Sequence, residues 1–157
     1  MQVFGADGDF EQNDRRTPVP CNDSDVNLQV ITALTVALLA LAAAFQFGLA
    51  AGAPWGFAAY GGRAASRDGT LPVAYRLGSA VAAVVLLGAI WVVLASVSVV
   101  GRGSVSSAWL TVVLWCLAAL FVLNTLGNAR GRHPLERWGA GSVTAVLAVL
   151  CVLLAAT

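Results

Sequence analysis

The sequence predicts an all-α integral membrane protein: a four-helix transmembrane bundle that runs up-down-up-down with both termini extracytoplasmic. Two observations carry this prediction. Of the 157 residues, 59% are hydrophobic and 11% are charged, whereas a soluble domain is about 45–50% apolar and about 25% charged. The charged residues also divide the chain into four long uncharged stretches, each able to supply the ~20 apolar residues that a spanning helix needs.

The same composition excludes several other classes of protein. A formal net charge of +1 provides no basic surface for phosphate, so we expect no nucleic-acid partner. The three cysteines form no C-x-x-C pair, and an odd number does not favour a disulfide framework. His133 is the only histidine. The sequence therefore predicts no metal site and no cofactor.

The uncharged stretches define the predicted spans. The spans are placed at residues 27–51, 77–100, 105–129 and 139–157. Because unpaired backbone groups are not tolerated in lipid, each span must be helical. Residues 26–157 thus form the membrane domain. Residues 1–25, which are acidic and contain Pro18 and Pro20, are predicted to be a disordered extracytoplasmic tail.

The arginines set the predicted orientation. The loop between the first two spans and the loop between the last two carry six arginines, while the opposite side carries three. The six are Arg63, Arg67, Arg76, Arg130, Arg132 and Arg137. Because arginine in short loops marks the cytoplasmic side, we expect both of these loops in the cytoplasm and both termini outside.

The first basic loop contains a short aromatic segment. Pro54 should end the first helix near Gly52, and residues 53–62 are too few to span. Trp55 and Tyr60 then suit the headgroup layer, where amphipathic rings are favourable. A re-entrant lid over a binding cavity is the alternative interpretation. The candidate interfacial residues are Trp55, Tyr60, Arg63, Arg76, Arg132 and Arg137.

This loop also carries a resemblance to known proteins. Its string reads Gly52-Ala53-Pro54-Trp55-Gly56, then Gly61-Gly62-Arg63, then Leu71-Pro72 and Arg76. Within the four-helix pattern, the string resembles families of small bacterial integral membrane proteins of unknown function, over residues 30–157. The resemblance implies a four-helix fold in a bacterial cytoplasmic membrane, and it supplies no catalytic residues.

The predicted spans contain no Asp, Glu, Arg or His. Proton relays and ion pathways use such residues, so the pattern argues against a pump or an ion-coupled antiporter. His133 and Glu136, in the second basic loop, could form an acid/base pair at the headgroup layer. A solvated loop in which Glu136 pairs with a neighbouring arginine is the simpler interpretation. We therefore expect no catalytic residue and no enzyme.

Three of the amide side chains within the spans are candidates for a polar contact, and they are Gln46, Asn124 and Asn128. Gln46 and Asn124 lie at similar distances from the predicted cytoplasmic ends of their helices, and Asn128 shares a face with Asn124. The pattern predicts a Gln46–Asn124 hydrogen bond between helices, worth about 0.6–2 kcal/mol. The same three residues are the candidate lining of a polar pocket that opens to the cytoplasm.

Two further patterns concern helix packing. Trp91 and Trp115 lie near the middle of the second and third spans, and we expect their indoles to pack against each other. The first span carries small residues every four positions, which permit close helix approach within the bundle or across a homo-oligomer. These are Ala40, Ala44, Gly48 and Gly52.

Together these observations predict a non-enzymatic accessory or assembly component embedded in the lipid bilayer. Its expected partners are a second copy of the chain or another membrane protein. The alternative is a carrier or binder of a neutral or lipidic small molecule, using a cavity near the three amides.

Overall fold

The computed structural model of the chain describes residues 23–157 apart from Arg63 and Arg132. The described residues form four long helices and contain no strand. The helices are α1 (Asp23–Ala51), α2 (Val73–Ser96), α3 (Ser107–Ala129) and α4 (Gly141–Ala155). A π-helical turn, Leu135–Ala140, leads directly into α4.

Four stretches are long and apolar enough to cross a bilayer, which makes the chain a multi-pass membrane protein. They are Val26–Ala51, Val73–Ser96, Ser107–Ala129 and Leu135–Ala155. The predicted all-α, four-helix class is thereby confirmed. The second helix begins earlier than the span predicted from residue 77, because Pro72 suits the position before a first helical turn and Arg76 is accommodated within that turn.

The start of α1 also differs from the prediction. The helix includes residues 23–25, which the sequence places in the disordered tail. The remainder of that tail, residues 1–22, lies outside the described residues.

The helices pack as two hairpins. α1 packs along α2 and α3 packs along α4, while the contacts of α1 with α4 and of α2 with α3 are less extensive. This order places α1 and α3 diagonally across the bundle. Side chains on these two helices can therefore contact each other only where they reach the centre of the bundle.

The main hydrophobic core lies towards the end of the bundle at which α2 is joined to α3. All four helices contribute buried side chains to it, including Leu39, Val93, Leu114, Leu147 and Cys151. In lipid, such helices associate through van der Waals packing rather than through the hydrophobic effect. Large apolar residues also cover the outer surface, as lipid contact requires; Val81 and Leu123 are 64% and 66% exposed.

A second, smaller core lies at the opposite end, where α1 is joined to α2. Leu49 of α1 packs there with Ala59 and Leu71 of the connecting loop, next to Phe45 and Ala64. The loop is therefore folded onto the end of its own hairpin.

Candidate functional site

The most elaborate polar and aromatic structure in the described chain is the loop between α1 and α2. We refer to residues 52–72 as the loop cap. Two short 3₁₀ turns, Gly56–Ala58 and Tyr60–Gly62, form its first half. The cap contains the segment that the sequence predicts to be interfacial.

The cap begins where a glycine ends α1. Gly52 has a φ of 92°, a conformation that residues with a Cβ rarely adopt. Its N–H donates to the Leu49 carbonyl at 3.1 Å, and the Ala53 N–H donates to the Gly48 carbonyl at 2.9 Å. Pro54 follows and cannot continue the helix. The predicted end of the first helix near Gly52 is confirmed.

Arg76, in the first turn of α2, caps the C-terminal end of α1. Its Nε donates to the Ala50 carbonyl at 2.9 Å, an acceptor that the helix itself leaves unpaired. The guanidinium lies against Gly52, because a Cβ built there would be 3.2–3.4 Å from Cζ and both Nη atoms. A cation at a helix C-terminus is electrostatically favourable. Arg76 therefore ties α2 to the end of α1.

Trp55 folds back onto α1. Its ring stacks on Phe45 with centroids 6.0 Å apart and planes 6° apart. It also covers Gly48, where an added Cβ would overlap the indole. Two glycines of the small-residue stripe thus accommodate Trp55 and Arg76 of the same hairpin, while Ala40 and Ala44 are exposed.

Backbone hydrogen bonds close the rest of the cap. The Gly56 N–H donates to the Gly69 carbonyl at 2.9 Å, and the Ser66 N–H donates to the Thr70 carbonyl at 2.9 Å. The two glycines approach so closely that a Cβ on Gly56 would lie 2.7 Å from the Gly69 oxygen. The cap is therefore a specific folded structure rather than an extended linker.

Tyr60 joins the cap to α2. Its hydroxyl lies 2.9 Å from Oγ of Ser79, with which it shares a hydrogen bond, and donates to the Tyr75 carbonyl at 3.3 Å. The Tyr60 and Tyr75 rings meet edge to face at 5.0 Å. Ser79 is fully buried, so its hydroxyl needs such a partner.

The outer surface of the cap is aromatic and basic. Trp55, Phe57 and Tyr60 are 41–48% exposed, and Arg67 is exposed beside them in the chain. Of the candidate interfacial residues, Trp55, Tyr60 and Arg76 are brought together at this end of the hairpin. Arg63 and Arg132 lie outside the described residues. The headgroup location of the segment stays a prediction.

The three amide residues do not converge. Asn124 is exposed on α3, whereas Gln46 is partly buried on α1 and its Oε1 has no hydrogen-bond partner in the described chain. The structure does not form the predicted Gln46–Asn124 hydrogen bond, because α1 and α3 are diagonal. Asn128 instead donates to Oγ1 of Thr144 at 3.5 Å.

Thr144 is the centre of a polar contact that sequence reasoning missed. Its Oγ1 accepts a hydrogen bond from Thr125 at 2.9 Å, and its own hydroxyl lies 3.0 Å from the Ala140 carbonyl. Threonines are frequent in transmembrane interfaces because their hydroxyls can bond across helices. The signal in the sequence was therefore the pair of threonines and not the pair of amides at equal depth.

The predicted packing of Trp91 against Trp115 is wrong. These indoles are 42% and 49% exposed and make no ring contact with each other within the described residues. Both lie on outward faces of the bundle.

The second basic loop contains a buried carboxyl group. Glu136 is 5% exposed in the π-helical turn, and its Oε2 would be 2.6 Å from a Cβ on Gly131. The expectation of a solvated Glu136 is therefore wrong. Nδ1 of His133 accepts a hydrogen bond from the Leu135 N–H at 3.3 Å, and the Arg137 guanidinium lies 5.5 Å from the centre of the Trp138 ring.

Among residues 23–157, with the two gaps noted, no group of three His, Cys, Asp or Glu side chains could hold a metal ion.

No protein-family model, curated protein or solved structure matches the chain. The four long apolar helices define its class as a multi-pass α-helical membrane protein.

Proposed function

We propose that this chain is a non-enzymatic accessory or assembly component of the bacterial cytoplasmic membrane, acting through the loop cap. The observation that carries the proposal is the fixed, partly exposed aromatic surface of Trp55, Phe57 and Tyr60. Aromatic residues and arginine are enriched in the energetically important parts of protein interfaces. A surface that is already ordered also loses little conformational entropy on binding.

The arginine distribution supports a cytoplasmic location for this surface. Six of the nine arginines lie in the two loops on one side, and this bias is typical of the cytoplasmic face. The string from Gly52 to Arg76 that resembles bacterial membrane proteins is also the string that builds the cap. The proposed partner is a second copy of the chain or another membrane protein that reaches the cap.

Site-specific photo-crosslinking in cells tests this proposal. A photoreactive residue replaces Phe57 on the cap, and a matched variant carries it at Leu123, which is exposed on the lipid-facing side of α3. We expect one discrete protein adduct from position 57 and lipid adducts alone from position 123. Lipid adducts alone from both positions would contradict the accessory function.

The alternative, a carrier or binder of a neutral or lipidic molecule, is favoured by a different feature. An open groove runs between the first turns of α1 and the end of α2, lined by Thr32, Val36, Leu94 and Val97 among others. The Thr32 hydroxyl already donates to the Leu28 carbonyl at 2.8 Å, so the groove suits an acyl chain better than a polar solute. Native mass spectrometry of the purified chain tests this alternative, which requires a stoichiometric retained small molecule.

A further inference from the structure

Arg76 has hydrogen-bonding capacity that the fold does not use. A guanidinium carries five N–H donors, and the Ala50 carbonyl takes the one on Nε. Within the described chain, Nη1 and Nη2 donate to no acceptor, and the only hydrogen bond of the Arg76 side chain is the one from Nε. The four N–H groups on the Nη atoms therefore remain available at this end of the bundle.

The position of this guanidinium is fixed by its surroundings. The Nε bond holds it at the end of α1, and the missing side chain of Gly52 lets it lie flat against the backbone. The aromatic rings of Trp55 and Tyr75, each more than 40% exposed, lie at the same end of the α1–α2 hairpin. Such rings mark the level of the lipid headgroups in membrane proteins.

We propose that Arg76 binds the phosphate of an anionic phospholipid headgroup at the α1–α2 end of the bundle. Two coplanar Nη groups match two phosphate oxygens, which makes the contact bidentate and charge-assisted. Basic pockets between transmembrane helices bind anionic headgroups in this way. The site depends neither on the accessory function nor on a protein partner. The absence of a protein crosslink at position 57 would therefore not contradict lipid binding by Arg76.

The lysine variant separates this role from simple capping of α1. Arg76→Lys keeps the positive charge and one donor for the helix end, but it removes the planar fork. Arg67→Lys is the matched control, because Arg67 is exposed in the same cap and makes no hydrogen bond with a described residue. Thermal unfolding of each variant in lipid-free detergent measures whether the fold is retained.

The test is a lipid titration of the delipidated full chain in detergent, read by native mass spectrometry. Phosphatidylglycerol, phosphatidylcholine and inorganic phosphate are added separately. We expect one retained phosphatidylglycerol, with affinity lowered about tenfold by Arg76→Lys and less than about twofold by Arg67→Lys. Equal losses in both variants, or equal retention of phosphatidylcholine, would overturn the proposal. Inorganic phosphate that competes at equal concentration would also overturn it, since the site would then serve soluble phosphate.

A second measurement uses the unmodified protein and does not depend on how the variants fold. Hydrogen exchange of the backbone amides in residues 49–56 is followed with and without phosphatidylglycerol. We expect slower exchange with the anionic lipid and a smaller change with phosphatidylcholine, because the choline cation offsets the charge of its phosphate. Unchanged exchange with phosphatidylglycerol would place the lipid elsewhere and contradict the assignment to Arg76.

Discussion

Gly48 and Gly52 show that a glycine in a helix or at its end can make room either for a neighbouring helix or for a single large side chain. In the sequence they belong to a stripe that permits close helix approach. In the structure they receive Trp55 and Arg76. Both uses require a missing Cβ, so spacing alone identifies the need for a small residue without identifying what lies against it.

The first prediction concerns Gly48. In Gly48→Ala, the added methyl would overlap the Trp55 ring, so the indole must leave its stack on Phe45. Overpacking of this kind costs about 1–3 kcal/mol, more than the roughly 0.5–1 kcal/mol that alanine adds to a helix interior. We expect faster hydrogen exchange throughout residues 53–62 and a lower unfolding temperature in detergent.

Gly88→Ala is the matched control, because a Cβ at Gly88 meets no atom within 4 Å. This variant should be as stable as the parent protein or slightly more stable, with unchanged exchange in the loop cap. Exchange in residues 53–62 that stayed slow in Gly48→Ala would mean that Trp55 does not hold the cap on α1.

At the scale of the helices, composition predicts how long each span is far better than it predicts which side of the helix faces the core. The four spans follow from hydropathy because hydrocarbon requires about 20 apolar residues of each helix. In water, a polar face would also show which side of a helix is buried, but in lipid both sides are apolar. Depth alone therefore predicts interhelical partners for Asn124 and Trp115, yet both side chains are exposed.

The next prediction concerns the contact between α3 and α4. Thr144→Val keeps the shape of the side chain but removes the acceptor for Thr125 and Asn128. Interhelical hydrogen bonds in membranes contribute about 0.6–1.7 kcal/mol, and we expect a loss of stability in that range. Unfolding by sodium dodecyl sulfate, followed by tryptophan fluorescence, measures it.

Thr111→Val provides the comparison for this measurement. The Thr111 hydroxyl is exposed and donates to the Ser107 carbonyl of its own helix at 3.2 Å, so its loss should change stability by less than about 0.5 kcal/mol. A Thr144→Val variant as stable as Thr111→Val would show that the hydroxyl cluster does not hold α3 to α4.

For the whole molecule, the two hairpins differ in how their helices are connected. The α1–α2 hairpin ends in the loop cap with its own small core, whereas α3 and α4 are joined through a π-helical turn that buries Glu136. Arginine counts assign both loops to the same side of the membrane, but they carry no information on how either loop folds. The cap depends on glycines at turns and close approaches, which become interpretable only once their neighbours are known.

The last prediction concerns the orientation of the whole chain, and it is made in a background in which Cys21, Cys116 and Cys151 are replaced by serine or alanine. Single cysteines are then introduced by Arg67→Cys in the cap and by Ser104→Cys in the turn between α2 and α3. Because arginine favours the cytoplasmic side, a membrane-impermeant maleimide should label position 104 in intact cells and position 67 only after permeabilisation. Thr157→Cys should behave like position 104, since an even number of spans places both termini on one side. Labelling of position 67 from outside, with position 104 protected, would reverse the orientation and move the aromatic surface of the cap to the exterior.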